Sequence, residues 1–381
     1  MMNKSVVALV KCSNYTLDEV NHALERGFDL LGGLENLVHP DELWLLKPNL
    51  LVGSRPEAAV TTHPIVLEAI GSQLQKARVR VTYGDSPGFG SAGLVARISG
   101  LAEVAERLNI PLADMSSKVN VSFPEGNLVK QFGLGHGAVE ADAILSLPKL
   151  KTHGLLRVTG AVKNQLGCVA GLGKSSFHVQ LANKIHFAQM LVDLNRLLSP
   201  RLVVMDAIVA MEGNGPRGGD PRHVGVLLLS TDPIALDAVA CRLINLDPGL
   251  LLTCKWGDRW GLGSINEYTL VGDSLDDLVV PDFKVNRGVE TGHDRVGPSH
   301  TLIRTWFAKR PVLATERCVG CGTCFEVCPT IPKAIKMNES NTLPLPDFNL
   351  DHCIRCYCCQ EMCPEKAIIL RPTPLGRILG W

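Results

Sequence analysis

The chain has 381 residues, of which 46% are hydrophobic and 20% charged, the composition of a globular protein without a disordered majority. Lys plus Arg equals Asp plus Glu, 38 against 38, so no net field draws the protein to nucleic acid or to an anionic membrane. That length allows two domains, one large and one small.

The N-terminus, MMNKSVVALVKCSNYT, has an apolar run of only six residues before Lys11, too short for the core of a signal peptide. Residues 5–10 read as a first strand. No stretch approaches the roughly 18 apolar residues of a spanning helix, so a soluble, cytoplasmic chain is expected. Further strands are expected at 43–47, 78–83, 142–147, 201–206 and 224–230, several of them nearly continuous apolar runs, as parallel strands covered on both faces require. Between them, TLDEVNHALERGFDLL, THPIVLEAIGSQLQK, LVARISGLAEVAERL and NKIHFAQMLVDLNRLL carry helical periodicity. Asp232 and Pro233 suit the N-cap and first turn of another helix. Strands alternating with helices predict an α/β domain over 1–300 with a mostly parallel sheet flanked by helices.

Two phosphate-binding patterns nearly occur. GLGKS (171–175) lacks the glycine that a P-loop needs at position 168, which is Cys168. GFGSAG (88–93) matches G-x-G-x-x-G but is separated from its strand by Gly84-Asp85-Ser86-Pro87, whereas a dinucleotide fold turns on its first glycine directly after the strand. Neither is read as a nucleotide site. His63, His136, His178 and His186 have no metal-ligand spacing. Cys12, Cys168, Cys241 and Cys254 read as core.

Open α/β sheets bind ligands at the carboxyl ends of their strands. There the chain collects Lys47 and Asn49, then Asp85, then Lys149, Lys151, His153, Lys163 and Asn164 after the fourth strand. Glu212, Asn214 and Arg217 follow the fifth in a glycine-rich loop. Such a set suits an anionic small-molecule substrate or organic cofactor, bound by Lys47, Asn49, Asp85, Lys149, Lys163, Asn164, Asn214 and Arg217. His153, Lys151 and Glu212 are the candidates for catalysis, His153 or Glu212 moving the proton.

Residues 273–317 are polar and poor in pattern, and 301–311 read as a linker. Thirteen cysteines in a cytoplasmic chain suggest metal rather than disulfides. CVGCGTCFEVCP supplies Cys318, Cys321, Cys324 and Cys328, and sliding it forward by 35 residues lands on Cys353, Cys356, Cys359 and Cys363 of CIRCYCCQEMCP. Each fourth cysteine precedes a proline, Pro329 or Pro364. Cys358 alone has no counterpart and reads as a small buried side chain. Thiolates at i, i+3 and i+6 reach three irons of one cubane cluster, while the cysteine before the proline points to the neighbouring cluster. The expected ligand sets are Cys318, Cys321, Cys324 with Cys363, and Cys353, Cys356, Cys359 with Cys328. Zinc, which favours two Cys-x-x-Cys pairs, fits this doubled triplet poorly. Residues 373–381 form a tail.

These cysteines resemble those of the bacterial-type two-cluster ferredoxins, a resemblance that implies a pseudo-twofold α+β module over 312–372 holding two [4Fe–4S] clusters and relaying single electrons. The large domain is similar to the family catalogued as domain of unknown function 362. The carrying segments are LKPNL (46–50), GDSP (84–87), LPKLKTH (147–153), GAVKNQLG (160–167), MEGNGP (211–216) and STDPIALDAVA (230–240). That resemblance implies an iron–sulfur protein and leaves the substrate open. The expected function is electron relay between the clusters and an anionic ligand, in an oxidoreductase or reductive activase with a redox partner protein. The alternative is a non-catalytic electron carrier or adaptor whose large domain docks a partner.

Overall fold

The computed structural model describes residues 4–171, 177, 181, 183–288, 309–338 and 343–373. Its centre is a nine-stranded sheet. In chain order the strands are β1 (Ser5–Lys11), β2 (Leu43–Pro48), β3 (Arg80–Tyr83), the outlying hairpin β4 (Lys118–Ser122) and β5 (Gln131–Gly135), β6 (Ala143–Leu147), β7 (Lys149–His153), β8 (Arg157–Thr159), β9 (Leu202–Glu212), β10 (Asp220–Ser230) and β11 (Tyr268–Gly272). The main order is β11-β1-β10-β9-β6-β2-β3, with β7 on β9 and β8 on β7. Pairs β1–β11, β2–β3, β2–β6, β6–β9 and β7–β9 are parallel, so the sheet is mostly parallel.

The exceptions are β10, antiparallel to both β1 and β9, and β8, antiparallel to β7. Both β9 and β10 run eleven residues, much longer than the apolar cores at 201–206 and 224–230 suggest. The connection 213–219 is short, and a short connection between long neighbours can only make a hairpin. The segment after β6, expected as a loop, instead forms β7 and β8. The region 94–108, periodic enough for one helix, makes two, Ala92–Ile98 and Leu101–Arg107, because Gly100 turns the chain between them at φ 74°.

Alternation along the strands fills two layers. From β1, Ala8 and Val10 pack with the helices Leu17–Leu30 and Pro64–Lys76. Val7 and Leu9 face the helix Pro233–Leu243, whose N-cap Asp232 accepts from the backbone N–H groups of Ile234 and Ala235. A third cluster lies under the helix Lys184–Leu198. Cys12, Cys168, Cys241 and Cys254 are buried. GLGKS after Gly171, His178, residues 289–308 and the tail from 374 lie outside the described residues. No described helix is long and apolar enough to cross a membrane.

The C-terminal region is a small α+β unit. Strand β12 (Arg310–Leu313) pairs with β15 (Ile368–Arg371), and β13 (Ile335–Asn338) with β14 (Leu345–Phe348). The short helices Thr323–Glu326 and Cys358–Met362 lie at matching places in its two halves. Strand β12 starts inside the segment expected as linker.

Asp193, fully buried on the helix Lys184–Leu198, accepts from the N–H groups of Asn127, Leu128 and Val129 at 2.8, 2.7 and 2.9 Å, holding the β4–β5 connection to the domain. Asp193→Ala leaves those donors without that acceptor and should cost about 3 kcal/mol in urea unfolding. A loss below about 1 kcal/mol would show that water replaces the carboxylate freely.

Candidate functional site

The cysteines of the small unit are placed by tight turns. Gly322 and Tyr357, each just before a short helix, have φ 75° and 65°, so both copies of the motif turn alike. One pit is lined by Cys318, Cys321, Cys324 and Cys363, the other by Cys328, Cys353, Cys356 and Cys359. Each pit thus collects one of the two sets separated by the 35-residue repeat, with apolar neighbours such as Ile335 and Ile368 behind them. Among the described residues no three His, Cys, Asp or Glu side chains could hold a single metal ion. Four thiols around an apolar pit are instead the donor set of an iron–sulfur cluster.

Cys358 is in neither pit. It takes the place of Thr323 in the first copy, where the hydroxyl lies 3.4 Å from Cys321 Sγ. Cys358 stands at the matching place beside Cys356, lowering the pKa of Cys356, while Cys356 and burial raise that of Cys358 well above the ordinary value.

The helix Cys358–Met362 also seats the small unit on the large domain. Gln360 Nε2 donates to the carbonyls of Asn214 and Gly215 and to Asn214 Oδ1 at 3.1, 3.2 and 2.9 Å. Arg217 donates to the carbonyl of Met362, and Lys366 Nζ to that of Gly219. The Met362 side chain packs with Val52, Ala59, Val60 and Met211. Asn214 and Arg217, expected to hold a ligand, therefore bind the cysteine-bearing unit. Glu212 is not brought to them: β9 stays extended through it, and its carboxylate meets Lys284, accepting from the N–H at 3.0 Å with Nζ at 3.3 Å.

Between the two units lies a cleft of about 740 Å³. The large domain contributes Asn49, Asp85, Ser86, Thr159, Lys163 and Asn164. The small unit contributes Cys328, Lys333, Cys358 and Glu361, and Leu51, Phe89, Ile331 and Met362 make its apolar surface. Thr159 Oγ1 is buried and has no hydrogen-bond partner among the described residues.

The wall is held from behind by a buried polar network. Lys47 Nζ lies 3.0 Å from Asp85 and donates to the carbonyl of Pro48 at 2.8 Å. Asn164 donates to the Lys47 carbonyl and to Ser146 Oγ, and its Oδ1 accepts from Asn49 at 3.2 Å. Asp85 also accepts from the N–H of Leu50 at 2.7 Å. Lys151 reaches Asn49 Oδ1 and the Val60 carbonyl, both at 2.6 Å. Burial, reinforced by Lys163 and Lys149, pushes Lys151 well below the ordinary lysine pKa. Burial also lowers Lys163, against the pull of Glu361, Cys358 and Asp85.

His153 is oriented by its neighbours. Its Nδ1 accepts from the N–H groups of Leu155 and Leu156, both at 3.1 Å, so the proton sits on Nε2, 2.8 Å from Glu361 Oε1. Burial, with the charge of Lys163, lowers the His153 pKa. The imidazole thus positions Glu361 and does not itself line the cleft. Lys149 is turned elsewhere, to Asp206 at 2.9 Å and Tyr15 Oη at 2.7 Å, where Tyr15 stacks on His63 with ring centroids 3.6 Å apart.

Of the residues singled out in the sequence, Asn49, Asp85, Lys163 and Asn164 line the cleft, and Lys47, Lys151 and His153 lie directly behind it. Glu361, Cys358 and Thr159 were not anticipated as wall residues. Glu361 falls between two motif cysteines and reads there as a spacer, and Thr159 is one threonine in a short strand.

A family model described as "Domain of unknown function (DUF362)" matches residues 45–242, and one described as "4Fe-4S dicluster domain" matches residues 311–367. "Thylakoid-associated protein sll1697" of Synechocystis sp. is 36% identical over 314 residues, covering 80% of this chain and 97% of that protein. Among solved structures, the lactate racemase apoprotein of Thermoanaerobacterium thermosaccharolyticum aligns at TM-score 0.42 and 13% identity, over 64% of this chain and 57% of its own. A protein from Thermotoga maritima aligns at TM-score 0.38 and 12% identity, over 61% and 60%. The chain thus spans less than two thirds of either, and likenesses this slight carry no argument about function.

A methyl group on Gly167 would land on Asp85 Oδ1 and within 2.6 Å of Lys47 Nζ. Gly167→Ala should split that buried pair and cost about 3 kcal/mol in urea unfolding. Wild-type stability would mean that the Lys47–Asp85 pair does not hold the wall.

Proposed function

This chain belongs to the DUF362 family, joined to a 4Fe-4S dicluster domain, and on that premise we propose that it is a redox protein with two [4Fe–4S] clusters that exchange single electrons with an organic anion in the cleft between the two units. One observation carries the reading: Cys328, a member of the second pit, is also part of the cleft wall. Cys358, two residues from Cys356 of the same pit, is another. A ligand in the cleft would touch the residues that hold the second cluster, the proximity that electron exchange needs. When bound, the clusters supply one-electron steps at low potential.

The remaining chemistry belongs to the chain. Lys163 and Lys333 attract an anionic group from opposite sides of the cleft. Thr159 offers a buried hydroxyl with no other partner among the described residues. Glu361, fixed by His153, stands where a proton must follow an electron onto the ligand. Leu51, Phe89, Ile331 and Met362 cover the apolar part of that ligand and exclude water. A large domain that only docked a partner would have no use for such a cleft, which favours an oxidoreductase or reductive activase over an adaptor.

We place the chain in the cytoplasm, where thiols stay reduced. The thylakoid association in the relative's name, carried over, would mean a protein that meets its redox partner at a membrane surface.

Protein purified without oxygen should contain about eight irons and eight sulfides per chain, as two cubane clusters require. Cys359→Ser should lose about half the iron, while Cys358→Ser keeps all of it. Full iron in Cys359→Ser would overturn the ligand assignment, and zinc in place of iron would remove the redox function. Mass spectrometry of extracts of the wild-type protein should find an organic anion, and Lys163→Ala should lose it while keeping the wild-type iron content. The same anion at the same level in both would displace the ligand from this cleft.

A further inference from the structure

The two halves of the cysteine-bearing unit differ electrically. Under the 35-residue repeat Gly320 corresponds to Arg355, and both are left-handed, at φ 67° and 59°. Glycine adopts that conformation freely, whereas an arginine there is strained. Arg355 is nonetheless present and only 4% exposed. Neither its Nε nor its Nη1 has a hydrogen-bond partner among the described residues. Guanidinium does not shed its proton in a protein, and a buried charge is tolerated only where an opposite charge compensates it. Arg355 lies between Cys353 and Cys356 in the loop that walls the second pit. The compensating charge at hand is that of the anionic cluster these cysteines would hold.

We propose that Arg355 makes the centre at Cys328, Cys353, Cys356 and Cys359 the more easily reduced of the two, so that electrons run toward the cleft and its ligand is reduced. The inference rests on the two-cluster reading above. A buried cation is attracted more strongly to a centre that has gained an electron, so it favours the reduced form.

The other nearby charges leave this surplus standing. Beside the first pit, Arg217 is opposed by Glu365 in the pit wall. Beside the second, Glu361 is opposed by Lys163, and Lys333 donates to the carbonyls of Phe325 and Glu326 close to Cys328. Burial works in the opposite direction, since Cys321 is exposed while no cysteine of the second set is. A buried charge whose Nε and Nη1 have no partner among the described residues acts in low dielectric, and we take it to outweigh that difference.

The exposed side is the entrance. Cys321 is exposed and Val319, in the same loop, is 55% exposed. A reduced one-electron carrier protein meeting this loop would lose one electron to the first centre. Through Cys328, which is common to the second pit and the cleft wall, an organic acceptor in the cleft would then gain that electron.

Redox titration followed by electron paramagnetic resonance, on iron-loaded full-length protein, tests the inference. Wild type should show two midpoint potentials. Arg355→Gly, which relieves the backbone strain and copies the first repeat, should lower the higher potential and leave the other in place. Arg355→Lys should keep the wild-type values, and Arg355→Gln serves as the neutral variant should the glycine form lose iron. The inference is overturned if neither potential moves, if the one that moves is the lower in wild type, or if wild type shows a single potential while holding eight irons, the count two cubane clusters need. Four irons in wild type, as one cluster holds, would instead bring down the two-cluster reading on which it rests.

Discussion

The structure depends on how five residues, Cys358–Met362, sit on the large domain. Gln360 is held by the loop between β9 and β10, Glu361 by His153, the Met362 carbonyl by Arg217, and the Met362 side chain by an apolar patch. Without these contacts the cysteine-bearing unit would be a tethered module and there would be no cleft. With them, one short helix presents Cys359 to a pit on one side and Cys358 and Glu361 to the cleft on the other.

Seating that helix calls for a rigid surface, which explains the buried charges behind the cleft. A lone buried lysine is costly, and even a buried ion pair gains little net stability. Lys47, Asp85, Asn164, Asn49 and Lys151 are instead joined in a chain of hydrogen bonds and one ion pair, Lys47–Asp85. Such a network specifies one arrangement of the strand ends, since any shift leaves a buried polar group without its partner. Asn49, Asp85 and Asn164 belong to both the network and the cleft wall, while Lys163 and the hydroxyl of Thr159 face the cleft from outside the network.

Much of this was legible. The apolar runs at 5–10, 43–47 and 142–147 are strands, and Asp232 caps its helix through two backbone N–H groups. Where the reading fell short, distant contacts were responsible. β9 and β10 extend well past their apolar cores because each pairs with the other, and pairing sustains polar residues such as Arg222 and His223 in a strand. Glu212, Asn214 and Arg217 do stand at a strand end, but what meets Asn214 and Arg217 is the C-terminal unit.

The sequence by itself determined the grouping of the eight cysteines, because short loops with repeated spacing leave a thiol few places to go. It also determined which strand ends carry cations and amides. Only the tertiary structure decided which of these face the cleft, that Glu361 is held by His153, and that Cys328 and Cys358 share a wall with Lys163. Those relations join segments some two hundred residues apart, and local spacing carries no information about a contact that exists only when two separately folded surfaces meet.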